Sequence, residues 1–200
     1  MANRGFIIAL VALALANPAS AEPKRFAKVG DRLYFDSNVP FPNDTSDRIG
    51  GVDNNELFYY LEHNPDIRTV VLNSDGGSVQ VGRAMAETIS KFGVDTEVVG
   101  RCLSACTDAF MGGKHRGLAK GSALGFHRSY VEVPDFDKSS KAIVSEAFDL
   151  GADAALSNVK FMVQRGVDIR FVLKALSHEP VDMWQPSRAE LTAAGVLTAP

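Results

Sequence analysis

Residues 70–78 read VVLNSDGGS, an apolar run that ends in two adjacent glycines. The first three residues are typical of a buried strand, and apolar residues then recur at helical spacing as far as Gly93. Residues 95–100, DTEVVG, are typical of a further short strand. The stretch therefore predicts a strand, a glycine turn, a helix and a second strand, which is the repeating unit of a parallel sheet.

The same alternation continues on both sides of this unit. It includes a hairpin around Gly30-Asp31, helices beginning at Asp53 and Ser104, a strand that carries His127 near its end, and a long helix that Gly166 ends. Asp168 and Pro186 mark the starts of two more helices. We therefore predict an α/β fold with a mostly parallel sheet.

The first residues have the three parts of a secretory signal peptide. Arg4 precedes an apolar stretch from Phe6 to Ala16, and the small residues Ala19-Ser20-Ala21 follow. The apolar stretch is shorter than the ~20 residues of a permanent membrane anchor. We expect residues 1–21 to be a signal peptide, residues 22–200 to form one domain, and the protein to be periplasmic or secreted after cleavage near Ala21.

Composition limits the possible partners. The chain of 200 residues has a formal net charge of −3, without a basic face or a long run of charge, so nucleic acid is not an expected partner. No histidines and carboxylates recur at metal-ligand spacing, and we expect neither a metal nor a cofactor.

The glycine turn at residues 74–78 has three possible interpretations. A phosphate-binding loop is disfavoured, because the three spaced glycines of a dinucleotide site are absent and Asp75 would repel a phosphate. A tight turn that needs positive φ is the simplest. An oxyanion hole, in which a glycine N–H faces a developing negative charge, requires a nucleophile and a base downstream.

Ser104 and His127 satisfy that requirement by their positions. Ser104 lies at a strand-to-helix transition, where free N–H groups favour negative charge. His127 ends the next predicted strand, where a parallel neighbour can bring its imidazole beside the serine. Each residue alone has a structural alternative, since serines often cap helices and a single histidine is often structural.

The two cysteines, Cys102 and Cys106, flank the serine. Residues four apart on one helix have Cβ atoms ~5–6 Å apart, whereas a disulfide needs ~3.8 Å. A disulfide therefore requires Cys102 to precede the helix. The alternative is an unpaired pair packed as small apolar groups.

Three segments, VVLNSDGGSVQVGRAMAETI, GRCLSACTDAFMGGKHR and ALGFHRSY, resemble the proteolytic subunit of Clp protease and its exported relatives in the Clp/crotonase superfamily. The resemblance implies a single domain of repeated strand-strand-helix units. It also implies that Ser104 is the nucleophile, His127 the base and Asp182 the third member of a triad, with Gly77 and Ala105 supplying the oxyanion N–H groups.

The resemblance also implies a peptide or protein substrate, and we expect a homo-oligomer. Ring assembly and a partner unfoldase are not implied, because an exported protein meets no ATP-driven machine. The sequence departs from the family at Asp75, where proline is usual, and at the two cysteines. Asp75 either points to solvent or weakens the oxyanion hole.

Three functions are compatible with these residues. The first is an exported serine peptidase acting on peptides or unfolded protein. The second is a crotonase-type enzyme acting on acyl thioesters, which is less favoured because coenzyme A is scarce outside the cytoplasm. The third is a non-catalytic binding module on the same fold, and Asp75 is its main support.

Overall fold

The computed structural model describes residues 24–40, 47–129 and 141–199, which contain six strands and six helices. The strands are β1 (Phe26–Val29), β2 (Arg32–Asp36), β3 (Thr69–Ser74), β4 (Asp95–Leu103), β5 (Arg116–Leu118) and β6 (Ala123–Gly125). The helices are α1 (Asp53–His63), α2 (Val79–Phe92), α3 (Ala105–Phe110), α4 (Lys141–Gln164), α5 (Ile169–Ser177) and α6 (Arg188–Ala193).

The strands form one mostly parallel sheet in the order β1-β2-β3-β4-β5, with β6 also paired to β4. Only the β1–β2 hairpin is antiparallel among these pairings. The predicted α/β class is confirmed. The predicted signal peptide, residues 1–21, lies outside the described residues, and within them no helix has the length and apolar character needed to cross a membrane.

Strand β4 is longer than predicted and has two neighbours on one side. Its first half pairs with β5 and its second half, from Arg101 to Leu103, pairs with β6. Pairing with β3 passes from Leu72↔Val98 to Ser74↔Cys102, so β4 contains a bulge. The sequence did not predict β5, because its three residues, Arg-Gly-Leu, carry no alternating pattern. The bulge and the extension bring the end of β4 beside the end of β3.

Helix α3, which follows β4, packs closely against α2. All six residues of α3 are buried. Gly82 of α2 allows the approach, since a Cβ at this position would collide with the carbonyl oxygen of Ala105. Two predicted helix starts are also confirmed: the Asp168 side chain accepts a hydrogen bond from Arg170 N, and a capping box at Ser187 precedes α6.

Candidate active site

Ser104 is held in a strained turn between β4 and α3. Its φ of 53° and ψ of −126° make it the only non-glycine residue with positive φ in the described parts of the chain. Such a conformation costs about 1–3 kcal/mol and persists only where its surroundings enforce it. Here Ser104 N donates to Gly125 O at 2.9 Å, and Ser104 O accepts from Thr107 N at 2.8 Å. The Ser104 side chain does not cap α3, so its hydroxyl makes no hydrogen bond to the first turn of that helix.

The two glycines of the 74–78 turn are needed for two different close approaches. A Cβ on Gly76 would lie 2.7 Å from Leu103 O and 2.8 Å from Ser104 Cβ, so this glycine packs directly on the serine. A Cβ on Gly77 would collide with the backbone of Ile49, including its nitrogen at 2.6 Å. Both glycines also have positive φ, 96° and 146°. The turn is thus held between the serine and the 47–50 segment.

The backbone N–H groups of Gly77 and Ala105 are the two predicted donors of the oxyanion hole. Residues on either side of Gly77 pair with Ile49, through Ile49 N to Gly76 O at 2.7 Å and Ser78 N to Ile49 O at 3.0 Å. Within residues 24–40, 47–129 and 141–199, neither the Gly77 nor the Ala105 N–H donates to a backbone oxygen. Ala105 is the first residue of α3, where the N–H has no intrahelical acceptor. This geometry is compatible with an oxyanion hole, and the two assignments stay predictions.

His127 lies just beyond β6, in a segment pinned by the paired backbones of Phe126 and Trp184. Its Nδ1 is 2.7 Å from the carbonyl oxygen of Arg128. A carbonyl oxygen only accepts hydrogen bonds, so Nδ1 carries the hydrogen. In the neutral ring Nε2 is then the acceptor, as a general base requires.

Ser104 and His127 line one pocket, so the structure brings these two predicted residues together. The pocket wall combines apolar and polar side chains in nearly equal number. Its lining residues are Val79, Ser104, Ala105, Thr107, Asp108, Phe126, His127, Ser129, Asn158, Met162, Val172, Ala175 and Leu176. Gly77 and Asp182 are not among them.

The Asp182 carboxylate lies beside His178. It is 3.3 Å from His178 Nδ1, and the Asp182 side chain is 82% exposed. The same turn is anchored near His127, because Arg128 N donates to His178 O at 2.9 Å. Asp182 is therefore in a segment next to His127, and its role in orienting that imidazole stays a prediction.

Asp108 is a pocket residue that sequence reasoning missed. It lies four residues after Ser104 and lines the same pocket, and a carboxylate in the helix that follows the serine was the available signal. Burial raises the pKa of its carboxyl to about 7, although Arg83 and Arg165 act in the opposite direction. Arg83 Nε is 3.5 Å from Asp108 Oδ1. The pocket thus contains a carboxyl that changes charge near neutral pH.

The two cysteines form a disulfide that spans the serine turn. The sulfur atoms are 2.01 Å apart and the Cα atoms 5.2 Å apart. Cys102 lies on β4 and Cys106 in the first turn of α3, so the requirement that Cys102 precede the helix is met. Both residues are fully buried. The disulfide joins the strand to the helix on either side of Ser104.

Comparisons with known proteins find the fold and no sequence family. No family model matches the chain, and no curated protein matches it. Among solved structures, a point mutant of ClpP1 from Listeria monocytogenes superposes with a TM-score of 0.59 at 16% identity, covering 75% of this chain and 84% of that one. A peptidase from Plasmodium falciparum superposes with a TM-score of 0.54 at 13% identity, covering 76% and 90%. The chain has a Clp-protease-like fold.

Proposed function

We propose that this protein is an exported serine peptidase-like hydrolase that acts on peptides or unfolded protein. The observation that carries the proposal is the strained Ser104 turn, which shares a pocket with His127 and contacts the glycine turn. A strand-to-helix turn of this kind presents a serine hydroxyl to substrate while nearby backbone N–H groups face a developing charge.

The proposed reaction follows from these positions. Ser104 Oγ attacks the carbonyl carbon of the substrate and transfers its proton to His127 Nε2. The N–H groups of Gly77 and Ala105 hold the tetrahedral oxyanion. His127 then gives the proton to the leaving amine, and water hydrolyses the acyl-enzyme by the same steps. Asp182 is proposed to support the imidazole from the neighbouring turn.

The compartment and the oligomeric state belong to the same proposal. A buried disulfide beside the nucleophile supports an oxidising compartment, as does the signal-like sequence at residues 1–21. A homo-oligomer is supported by large apolar side chains exposed on α4, with Phe148 75% exposed and Leu150 and Leu156 about half exposed.

A non-catalytic binding module is the second candidate. The observation in its favour is the position of Asp182, whose carboxylate contacts His178 and is mostly exposed. In that case the pocket would bind a peptide side chain, and Ser104 would not be activated.

Fluorophosphonate labelling separates the two candidates. In this reaction Ser104 Oγ bonds to phosphorus, fluoride leaves and the serine proton passes to His127. We expect the protein beginning at Glu22 to label, Ser104→Ala not to label, and His127→Ala to label ~10³-fold more slowly. Ser90→Ala, on the exposed side of α2, is the matched control and should label as the wild type.

Two outcomes would count against the peptidase. Undiminished labelling of Ser104→Ala would show that another residue reacts, and an unlabelled wild type would favour the binding module.

The same assay with a dithiol reductant tests the disulfide. Slower labelling after reduction is expected, because the Cys102–Cys106 link supports the strained turn.

A further inference from the structure

Asp75, the unexpected residue of the glycine turn, has a specific partner. Arg101 Nη2 donates a 2.6 Å hydrogen bond to Asp75 Oδ2, and Arg101 Nε contacts the other carboxylate oxygen, Oδ1. The side chains of Arg101 and Asp75 are 56% and 33% exposed, respectively. Asp75 therefore neither points freely to solvent nor stands as an isolated charge. It forms a two-point ion pair with a residue on β4.

The bulge in β4 lies just before Arg101 and brings it within reach of Asp75. Gly100 has a φ of 94°, and a Cβ at this residue would lie 2.6 Å from Asn73 Oδ1. The same Asn73 oxygen accepts a hydrogen bond from Arg101 N at 3.1 Å. The Asn73 amide in turn donates to Asp36 Oδ2 at 3.0 Å. Arg101 is thus fixed by its backbone as well as by its guanidinium.

The ion pair joins the two segments that build the proposed site. Asp75 directly precedes Gly76, where an added Cβ would lie 3.2 Å from Ala105 N, while Arg101 is three residues before Ser104. Asp75 is two residues before Gly77, so its carboxylate opposes the negative charge that develops on a substrate oxygen at Gly77 and Ala105, because like charges repel. A guanidinium bound to that carboxylate cancels most of its field.

We infer that Arg101 is a positioning residue that neutralises Asp75 and so allows a carboxylate to stand beside the oxyanion hole. This inference rests on the proposed function. It assigns a role to two charged residues that are otherwise an exposed ion pair, for which a small effect on stability is expected.

The test is a double-mutant cycle read by the rate of fluorophosphonate labelling. Arg101→Gln leaves Asp75 unpaired, and we expect labelling to slow about tenfold, equivalent to ~1.4 kcal/mol in the barrier. Asp75→Asn combined with Arg101→Gln removes both charges, and we expect its rate to return to within about threefold of the wild type. The deficit of Arg101→Gln should shrink at 1 M salt, where the screening length is ~3 Å.

The control is Lys28→Gln, which removes an exposed ion pair between β1 and Asp66, far along the chain from the site. It should label as the wild type. An Arg101→Gln rate equal to the wild type overturns the inference, and so does a double mutant as slow as the single, which would indicate a structural role for Arg101. If the wild type itself does not label, the proposed function fails instead, so the two failures are distinguishable.

Discussion

At two successive strand-to-helix junctions of the parallel sheet, the backbone makes a sharp turn with different residues. At the β3–α2 junction, glycines take the positive φ values and Ser78 is an ordinary N-cap whose side chain accepts from Val81 N. At the β4–α3 junction, Ser104 is the N-cap residue, has a positive φ itself and makes no side-chain cap. The side chain of the first serine stabilises its helix, and the side chain of the second does not.

The difference separates the serine proposed as nucleophile from a capping serine by the side-chain hydrogen bond that it does not make. A hydroxyl that bonds to its own helix is less available to a substrate, whereas the Ser104 hydroxyl is presented by a strained backbone. The strain is maintained by the disulfide, by the hydrogen bonds to Gly125 and Thr107, and by Gly76 packing on the serine.

We expect the largest loss of stability from a substitution that disrupts the contact between Gly77 and Ile49 at the β3–α2 junction. Gly77→Ala places a methyl group against the Ile49 backbone at a φ of 146°, and we expect the free energy of unfolding to fall by about 4 kcal/mol, with loss of labelling. The measurement is urea denaturation followed by circular dichroism. Gly93→Ala is the matched control, because it has positive φ but no atom within 4 Å, and a loss of only ~1 kcal/mol is expected. Equal losses would show that conformation, and not the contact with Ile49, requires Gly77.

The helices after the two junctions also differ, because α3 is fully buried and carries Asp108 whereas α2 is partly exposed. The pH dependence of the free energy of unfolding tests the effect of burying this carboxyl. The pKa of Asp108 is about 7 in the folded protein, above its ordinary value of 3.8, so the folded state binds more protons between these values. The free energy of unfolding should therefore fall by ~3 kcal/mol as pH rises from about 4 to about 7.

Asp108→Asn should flatten this part of the pH profile, measured by urea denaturation at each pH. Asp149→Asn, at an exposed position on α4, is the control and should keep the wild-type slope. A slope that persists in Asp108→Asn would assign the pH dependence to another group.

The smallest expected effect is on the stability of variants at the two serines, Ser104 and Ser78. Ser104→Gly should be more stable than Ser104→Ala by about 1 kcal/mol, because glycine relieves the positive φ and alanine does not. Ser78→Ala should lose ~0.5–1 kcal/mol with its cap. Thermal unfolding of the three variants provides the measurement, and equal stability of Ser104→Gly and Ser104→Ala would exclude strain at this turn.

Local signals in the chain were enough to predict the α/β class, the glycine turn, the positions of most helices and the proximity of Ser104 and His127, which line one pocket. Those signals are apolar periodicity, adjacent glycines, capping residues and a serine at a predicted junction. The condition for a disulfide could also be written from the spacing alone, because it depends only on whether Cys102 precedes the helix.

The remaining features required the folded molecule, because they depend on contacts between segments distant in the chain. The ion pair of Asp75 with Arg101 requires a bulge in β4, and the separate roles of Gly76 and Gly77 depend on Ser104 and Ile49 lying on either side of them. The raised pKa of Asp108 requires burial by surrounding helices, and Asp182 lies beside His178 because of the turn that follows α5. The spacing of apolar residues within one segment does not indicate which groups of a distant segment will contact it.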